Sequence, residues 1–322
     1  YRKEVTGELT DVTIRALFER LTYLRNLNER KEDVIRIIDE QGKLTDEIKG
    51  KILKCETLTD VEDLYRPFRP KKRTRAIIAQ EKGLKPLADE ILSGKFKGDI
   101  NEFAKTFIDE EKDVASIEDA LNGACDIVSE VISDEADYRK WIRNYVNREG
   151  IIETKGDSKE PTPYEMYYDY RENVKSIPSH RILAINRGEK EKVLSVKIIS
   201  DMDKIVSYLK TKVLKDNEVT DCYIEKSIED SLKRLIYPAI EREIRSELTV
   251  KGEEGAINIF KANLKALLMQ PPIKGKIVLG YDPGFRTGCK VAVLDDTGKF
   301  LDKATIRSEE RRVGKECLCS VD

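Results

Sequence analysis

Histidine occurs once in the 322 residues, at His180. A zinc site built on several histidines is thereby excluded, and a Ser-His-Asp triad could rest only on that one ring. Cysteine is scarce as well. The six, at positions 55, 125, 222, 289, 317 and 319, follow no disulfide or zinc spacing, and Cys317-Leu-Cys319 is not a C-x-x-C pair. A reducing, cytoplasmic setting is the expectation, with no metal or cofactor. No apolar run approaches the ~20 residues a bilayer span needs, and the opening residues form a charged amphipathic pattern, not a signal peptide. An excess of either charge is also missing. The 59 basic and 61 acidic residues leave a net charge of −2. Attraction to nucleic acid must then come from local patches.

What is present is charge and helical periodicity. Charged residues make up 37% and hydrophobic residues 39%, which suits a mainly helical chain of two or three domains with solvated helix faces. Ile14, Leu17, Phe18, Leu21, Leu24 and Leu27 lie at helical spacing, and the stripe resumes at Val34, Ile35 and Ile38 before Gly42 stops it. Thr45 is read as the cap of a second helix, Thr59-x-x-Glu62 as a capping box for a third, and Ser116-x-x-Asp119 as another. Thr74 and Pro86 are expected to open short helices ending near Gly83 and Gly94. Residues 153–163 read as a loop, 164–174 as a short helix, and 181–186 and 193–199 as two strands around a turn at Arg187-Gly-Glu-Lys190. Helix is expected over 203–227 with a break near Asn217. Leu232 to Leu248 trace a long helix with Pro238 inside its pattern, so a kink or a helix start is expected there. A further helix runs over 254–269, and Gln270-Pro-Pro272 supplies the domain boundary.

Beyond that boundary the period changes. Lys276–Tyr281, Val291–Leu294 and Phe300–Ile306 read as three strands, joined by Asp282-Pro-Gly284 with Gly288 and by the turn Asp296-Thr-Gly298. A carboxylate at a strand end beside a glycine turn suits a metal or phosphate site, so Asp282 is a candidate; a turn aspartate bonding backbone amides is the competing reading. Asp295 and Asp296 are read as turn formers. A second candidate lies upstream. Arg66, Arg69, Lys71, Lys72, Arg73 and Arg75 place six positive charges in ten residues without an acid. Two prolines extend the backbone, so these cations could meet successive phosphates, with Tyr65 and Phe68 stacking on bases. A solvated loop packed by its aromatics is the alternative. Tyr164, Tyr167, Tyr168 and Tyr170 could also stack, although their spacing favours a packed face. His180 has no evident catalytic partner.

Five runs resemble the bacterial Tex family of transcription accessory proteins. They are Tyr1-Arg-Lys-Glu-Val-Thr6, Asp63 to Arg75, Glu81 to Asp89, Pro178 to Lys190, and Glu254 to Leu264 leading into Leu279-Gly-Tyr-Asp-Pro-Gly-Phe-Arg-Thr-Gly-Cys-Lys290. The resemblance implies a multi-helical N-terminal and central region over 1–272 with a helix-turn-helix-like part. The first strands of a YqgF-type, RNase H-like α/β domain then follow over 273–306. It implies binding of RNA or DNA, association with the transcription machinery, and no membrane. Residues 307–322 depart from the family pattern and resemble a translated adaptor read, so they are read as a non-native tail. The chain, opening without methionine, is read as a fragment. In an RNase H-like fold the first-strand aspartate is one of several metal-holding carboxylates, so Asp282 alone is vestigial or incomplete. The expected function is nucleic-acid binding and scaffolding without chemistry. The alternatives are a nuclease or resolvase using Asp282 in a longer protein, an actin-like phosphate hairpin, and a helical protein-interaction scaffold.

Overall fold

The structure, a computed structural model, describes residues 7, 9–157, 161–271, 275–284 and 288–306. The Tyr1–Thr6 run, the boundary at 272–273 and the tail 307–322 lie outside the described residues. Two compact units divide the chain, 1–255 and 256–322, and the division falls inside a long helix.

The first unit opens with α1 (Asp11–Glu40), capped by the Thr10 hydroxyl, which accepts from the Thr13 amide. Leu27, Val34 and Ile38 are buried along one stripe and pack with Ile52, Val61 and Tyr65 into a small core. Those partners come from α2 (Asp46–Lys54) and α3 (Leu58–Tyr65). The earlier part of the α1 pattern is helical but uncovered: Leu17, Phe18, Leu21 and Leu24 are all exposed. Thr45 caps α2 as expected. The cap of α3 is Thr57, paired with Asp60. Thr59 lies inside the helix, because the extended backbone needed for a cap sits two residues earlier.

Thr74 and Pro86 open α4 (Arg75–Glu81) and α5 (Lys85–Ser93), and Gly94 closes α5 at φ 62°. After α6 (Ile100–Lys105), Ser116 caps α7 (Ile117–Asp134). Nine buried residues on α7 place it at the centre of the large core, against α4 and α5. Next comes α8 (Ala136–Glu149).

The stretch that follows corrects the sequence reading. Residues 151–156 form β1 (Ile151–Gly156) and 169–173 form β2 (Asp169–Asn173), with a 3-10 turn at Glu165–Tyr167 between them. In β1, Ile152 and Thr154 point inward while Glu153 and Lys155 point out. A half-buried strand this rich in charge carries too few apolar residues to show period two. Residues 181–186, expected as a strand, belong to α9 (Ser179–Lys190), whose buried Ile182, Ile185 and Gly188 recur at helical spacing. The strand β3 (Leu194–Ile199) completes an antiparallel sheet of order β2-β1-β3.

Two helices, α10 (Met202–Val213) and α11 (Glu218–Asp230), then meet at the Asn217 cap. A π-helical turn, Ser231–Ile236, leads into α12 (Tyr237–Leu268). Pro238 lacks the amide that a regular helix would use, and the widened turn just before it absorbs the mismatch. The two helices expected at 232–248 and 254–269 are therefore one.

In the second unit, β4 (Val278–Asp282), β5 (Cys289–Leu294) and β6 (Phe300–Ile306) form an antiparallel meander. The Asp295 carboxylate accepts from the amides of Thr297 and Lys299, and Gly298 takes φ 87°. Leu279, Tyr281, Phe300 and Leu301 are each more than half exposed. A three-stranded sheet with so little burial is marginal alone. Backbone amides of β4–β6 are expected to exchange with deuterium at least ~100-fold faster than those of α7, as mass spectrometry of peptic peptides would report. Equal protection would show a cooperative unit and defeat this expectation. Among the described residues, no helix is long and apolar enough to cross a membrane.

Candidate nucleic-acid interface

The basic run begins where α3 ends. Arg66–Phe68 form one 3-10 turn, with Pro67 in its first positions. Gln41 holds this turn by donating from Nε2 to the Phe68 carbonyl at 2.9 Å. The chain then runs extended until Thr74 caps α4. The segment expected to be extended throughout is thus half turn and half strap. Among the described residues, none gives a hydrogen-bond acceptor to the amides of Lys71, Lys72, Arg73 or Thr74. Side chains hold the strap instead.

Those side chains reach an acidic row on α7 that the sequence reading did not single out. Asp126, Glu130 and Asp134 lie four residues apart, so they stand one above another on one helix face. Lys71 Nζ donates to Glu130 at 2.5 Å and also to Asp134. Arg66 Nε donates to Asp134 at 3.1 Å, and the Thr74 hydroxyl donates to the other Glu130 oxygen at 2.9 Å. The Asp134 and Glu130 side chains are only 12% and 15% exposed, so these pairs are poorly screened. Arg234 extends the network, donating to Asp126 and Asp230. Burial pushes the Asp126 carboxyl up, against the opposing charge of Arg234. The Arg234 hydrogen bond holds the Asp230 carboxyl below its usual range. Arg75 adds its positive field to both.

The six cations therefore divide. Arg66 and Lys71 face inward, and Arg75 sits beside the acidic row. Arg69, Lys72 and Arg73 are exposed, as is Arg75. Of these, Arg73 reaches Glu81 at 3.1 Å in a solvated pair, a contact worth little. A cleft of about 450 Å³ separates strap from helix, bordered by Pro67, Arg69, Ile77, Glu130 and Val131.

The candidate stacking residues fare differently from the cations. Tyr65 is 6% exposed and packs in the small core, with Arg30 over its ring and Phe68 beside it. Tyr65 offers no open face for stacking, while Phe68 is half-buried against the same core. Tyr164 and Tyr167 are buried in the large core. His180 is exposed in the first turn of α9. Asp282 ends β4, exposed, opposite Lys290 of β5. Among the described residues, no three His, Cys, Asp or Glu side chains converge as metal ligands.

A buried ionic cluster fixes the element from which the strap departs. Asp63 on α3 accepts from Arg139 at 2.8 Å and Arg143 at 2.7 Å, and both arginines also donate to Glu243 of α12 at 2.9 Å. Burial alone would lower the Arg143 guanidinium, yet Asp63 and Glu243 raise it above its ordinary value.

Three family models match parts of the chain. Residues 97–260 match the Tex central region-like model, residues 1–39 the Tex-like protein N-terminal domain, and residues 276–317 the Tex protein YqgF-like domain. The chain is 50% identical to the uncharacterized protein YdcI of Bacillus subtilis over 94% of its own length and 43% of that protein. It is 37% identical to the transcriptional accessory protein Tex of Neisseria gonorrhoeae, over 95% of this chain and 41% of the relative. Identity to the S1 RNA-binding domain-containing protein 1 of Pongo abelii is 30%, over 94% of this chain and 32% of that protein. The chain thus spans less than half the length of these relatives.

Proposed function

This chain belongs to the Tex family, and from that membership we propose that it is the part of a transcription accessory protein that contacts nucleic acid through the 66–75 strap and otherwise serves as scaffold. Two relatives, a transcriptional accessory protein and an S1 RNA-binding domain-containing protein, support the class of partner. The observation that carries the reading is the presentation of Arg69, Lys72 and Arg73. They project from an extended backbone tethered at both ends, so three cations can meet successive phosphates without first ordering a loop. Phosphate is the same at every nucleotide, so the contact is expected to be independent of sequence.

Fluorescence anisotropy of the 322-residue chain with a single-stranded RNA across a salt series tests this. The variant R69A/K72A/R73A is expected to bind at least ~10-fold more weakly at low salt, with the slope of log K against log salt reduced by about 2, since each phosphate contact on a single strand contributes about 0.7. An unchanged slope would refute the assignment. A second reading has its own observation. The uncovered Leu17, Phe18, Leu21 and Leu24 on α1 suit a protein partner, and absence of any RNA or DNA binding would favour it.

A further inference from the structure

We propose that the acidic row of α7 acts as an internal competitor for the strap: Glu130 and Asp134 occupy Arg66 and Lys71, and a single-stranded phosphodiester backbone displaces them. The proposal rests on the strap being the nucleic-acid contact, and adds a regulated state to it.

Three observations carry it. First, the carboxylates imitate the ligand. Residues four apart on a helix rise by about 6 Å, so Asp126, Glu130 and Asp134 present evenly spaced negative charges along a line, as a strand of phosphates does. Second, from Lys71 to Thr74 the strap is held by little else. Its amides from Lys71 to Thr74 find no partner among the described residues. The contacts to α7 are Lys71 with Glu130 and Asp134, Arg66 with Asp134, and the Thr74 hydroxyl with Glu130. Third, Lys71 borders an open cleft beneath the strap, so its side chain has room to move aside. The strap's inner cations can exchange one set of anions for another while α4 and α7 keep their packing.

The exchange has a measurable cost. Each carboxylate pair must be broken before its cation meets a phosphate, so the acidic row lowers affinity and hides part of the charge from the salt dependence. Removing the two carboxylates should release Arg66 and Lys71. For E130Q/D134N we expect affinity for oligo-uridine RNA to rise ~3- to 10-fold, with the salt slope steeper by about 1.4, two contacts at 0.7 each. Oligo-deoxythymidine is measured in parallel. Equal gains mean the row competes with phosphate alone, while a gain confined to RNA would mean the strap also reads the ribose; both outcomes support competition.

A general gain from removing negative charge is separated by two further variants. E110Q/E111Q alters exposed acids elsewhere on the first unit and is expected to change affinity less than ~2-fold. In the E130Q/D134N background, K71M is expected to cancel most of the gain, because the lysine that the two carboxylates release is then missing. Far-ultraviolet circular dichroism and melting of each variant check the fold. Weaker or unchanged binding by a folded E130Q/D134N protein overturns the inference, making the acids simple anchors. A gain that K71M does not cancel overturns it as well. If R69A/K72A/R73A leaves binding untouched, the assignment of the strap itself has failed, and competition falls with it.

Discussion

Asp63→Asn is expected to destabilise the first unit by about 3–5 kcal/mol, the usual effect of leaving a buried charge without its partner. Arg139 and Asp63 are 1% and 6% exposed, so water cannot replace the lost carboxylate. The amide that takes its place offers one acceptor oxygen where two arginines donate, and its NH2 group faces them as a further donor. Arg139 already has one terminal nitrogen, Nη1, without a partner among the described residues, so the cluster has no spare acceptor. Urea unfolding followed by circular dichroism would show a lower midpoint with an unchanged m value. A loss below about 1 kcal/mol would mean that the arginines reach water or another acceptor. Glu243→Gln is expected to cost less, because the Glu243 side chain is 33% exposed.

The same substitution reaches the candidate interface. Asp63 lies two residues before Tyr65, at the end of α3, and the strap starts at Arg66. The ionic cluster ties that end to α8 and α12, while Lys71 and Thr74 tie the far end of the strap to α7. A strap fixed at both ends keeps Arg69, Lys72 and Arg73 extended between anchors.

How far the sequence revealed this depends on the range of each signal. Helix caps act within a turn, so Thr45, Thr74 and Ser116 were legible as caps, and Asn217 as a break, and the structure places a helix after each one. The strands β1 and β2 were not legible. Ile151-Ile-Glu-Thr-Lys-Gly156 and Asp169-Tyr-Arg-Glu-Asn173 carry mostly charged or polar residues, and only pairing with each other and β3 makes them strands. The basic run was visible, since charge density is local. Its division into inward and outward cations was not, because Glu130 and Asp134 lie about sixty residues away. An acid at every fourth helical position reads equally as a solvated face. Folding supplies the cation that distinguishes the two.

Gly188 gives the sharpest test of a misread signal. In sequence it belongs to Arg187-Gly-Glu-Lys190, a pattern suited to a turn, where alanine would be a mild change. In the structure it is buried inside α9. An ideal Cβ there would lie 2.6 Å from Leu194 Cδ1, 2.9 Å from Leu194 Cγ and 3.2 Å from Tyr164 Cδ1. Leu194 and Tyr164 are themselves 4% and 5% exposed, so neither side chain has open space to yield into. Intrinsic helix propensity favours alanine over glycine by about 1 kcal/mol, but overpacking a closed core costs about 1–3 kcal/mol. Gly188→Ala is therefore expected to be destabilising on balance, and Gly188→Val, with two more methyl groups against β3, to lose about 3 kcal/mol or more. Gly50 in α2 is the control, since nothing lies within 4 Å of its ideal Cβ. There alanine should stabilise by a few tenths to about 1 kcal/mol. Opposite signs at the two glycines, read from thermal midpoints, would establish the close helix–strand contact; stabilisation at both would place Gly188 in open space and restore the turn.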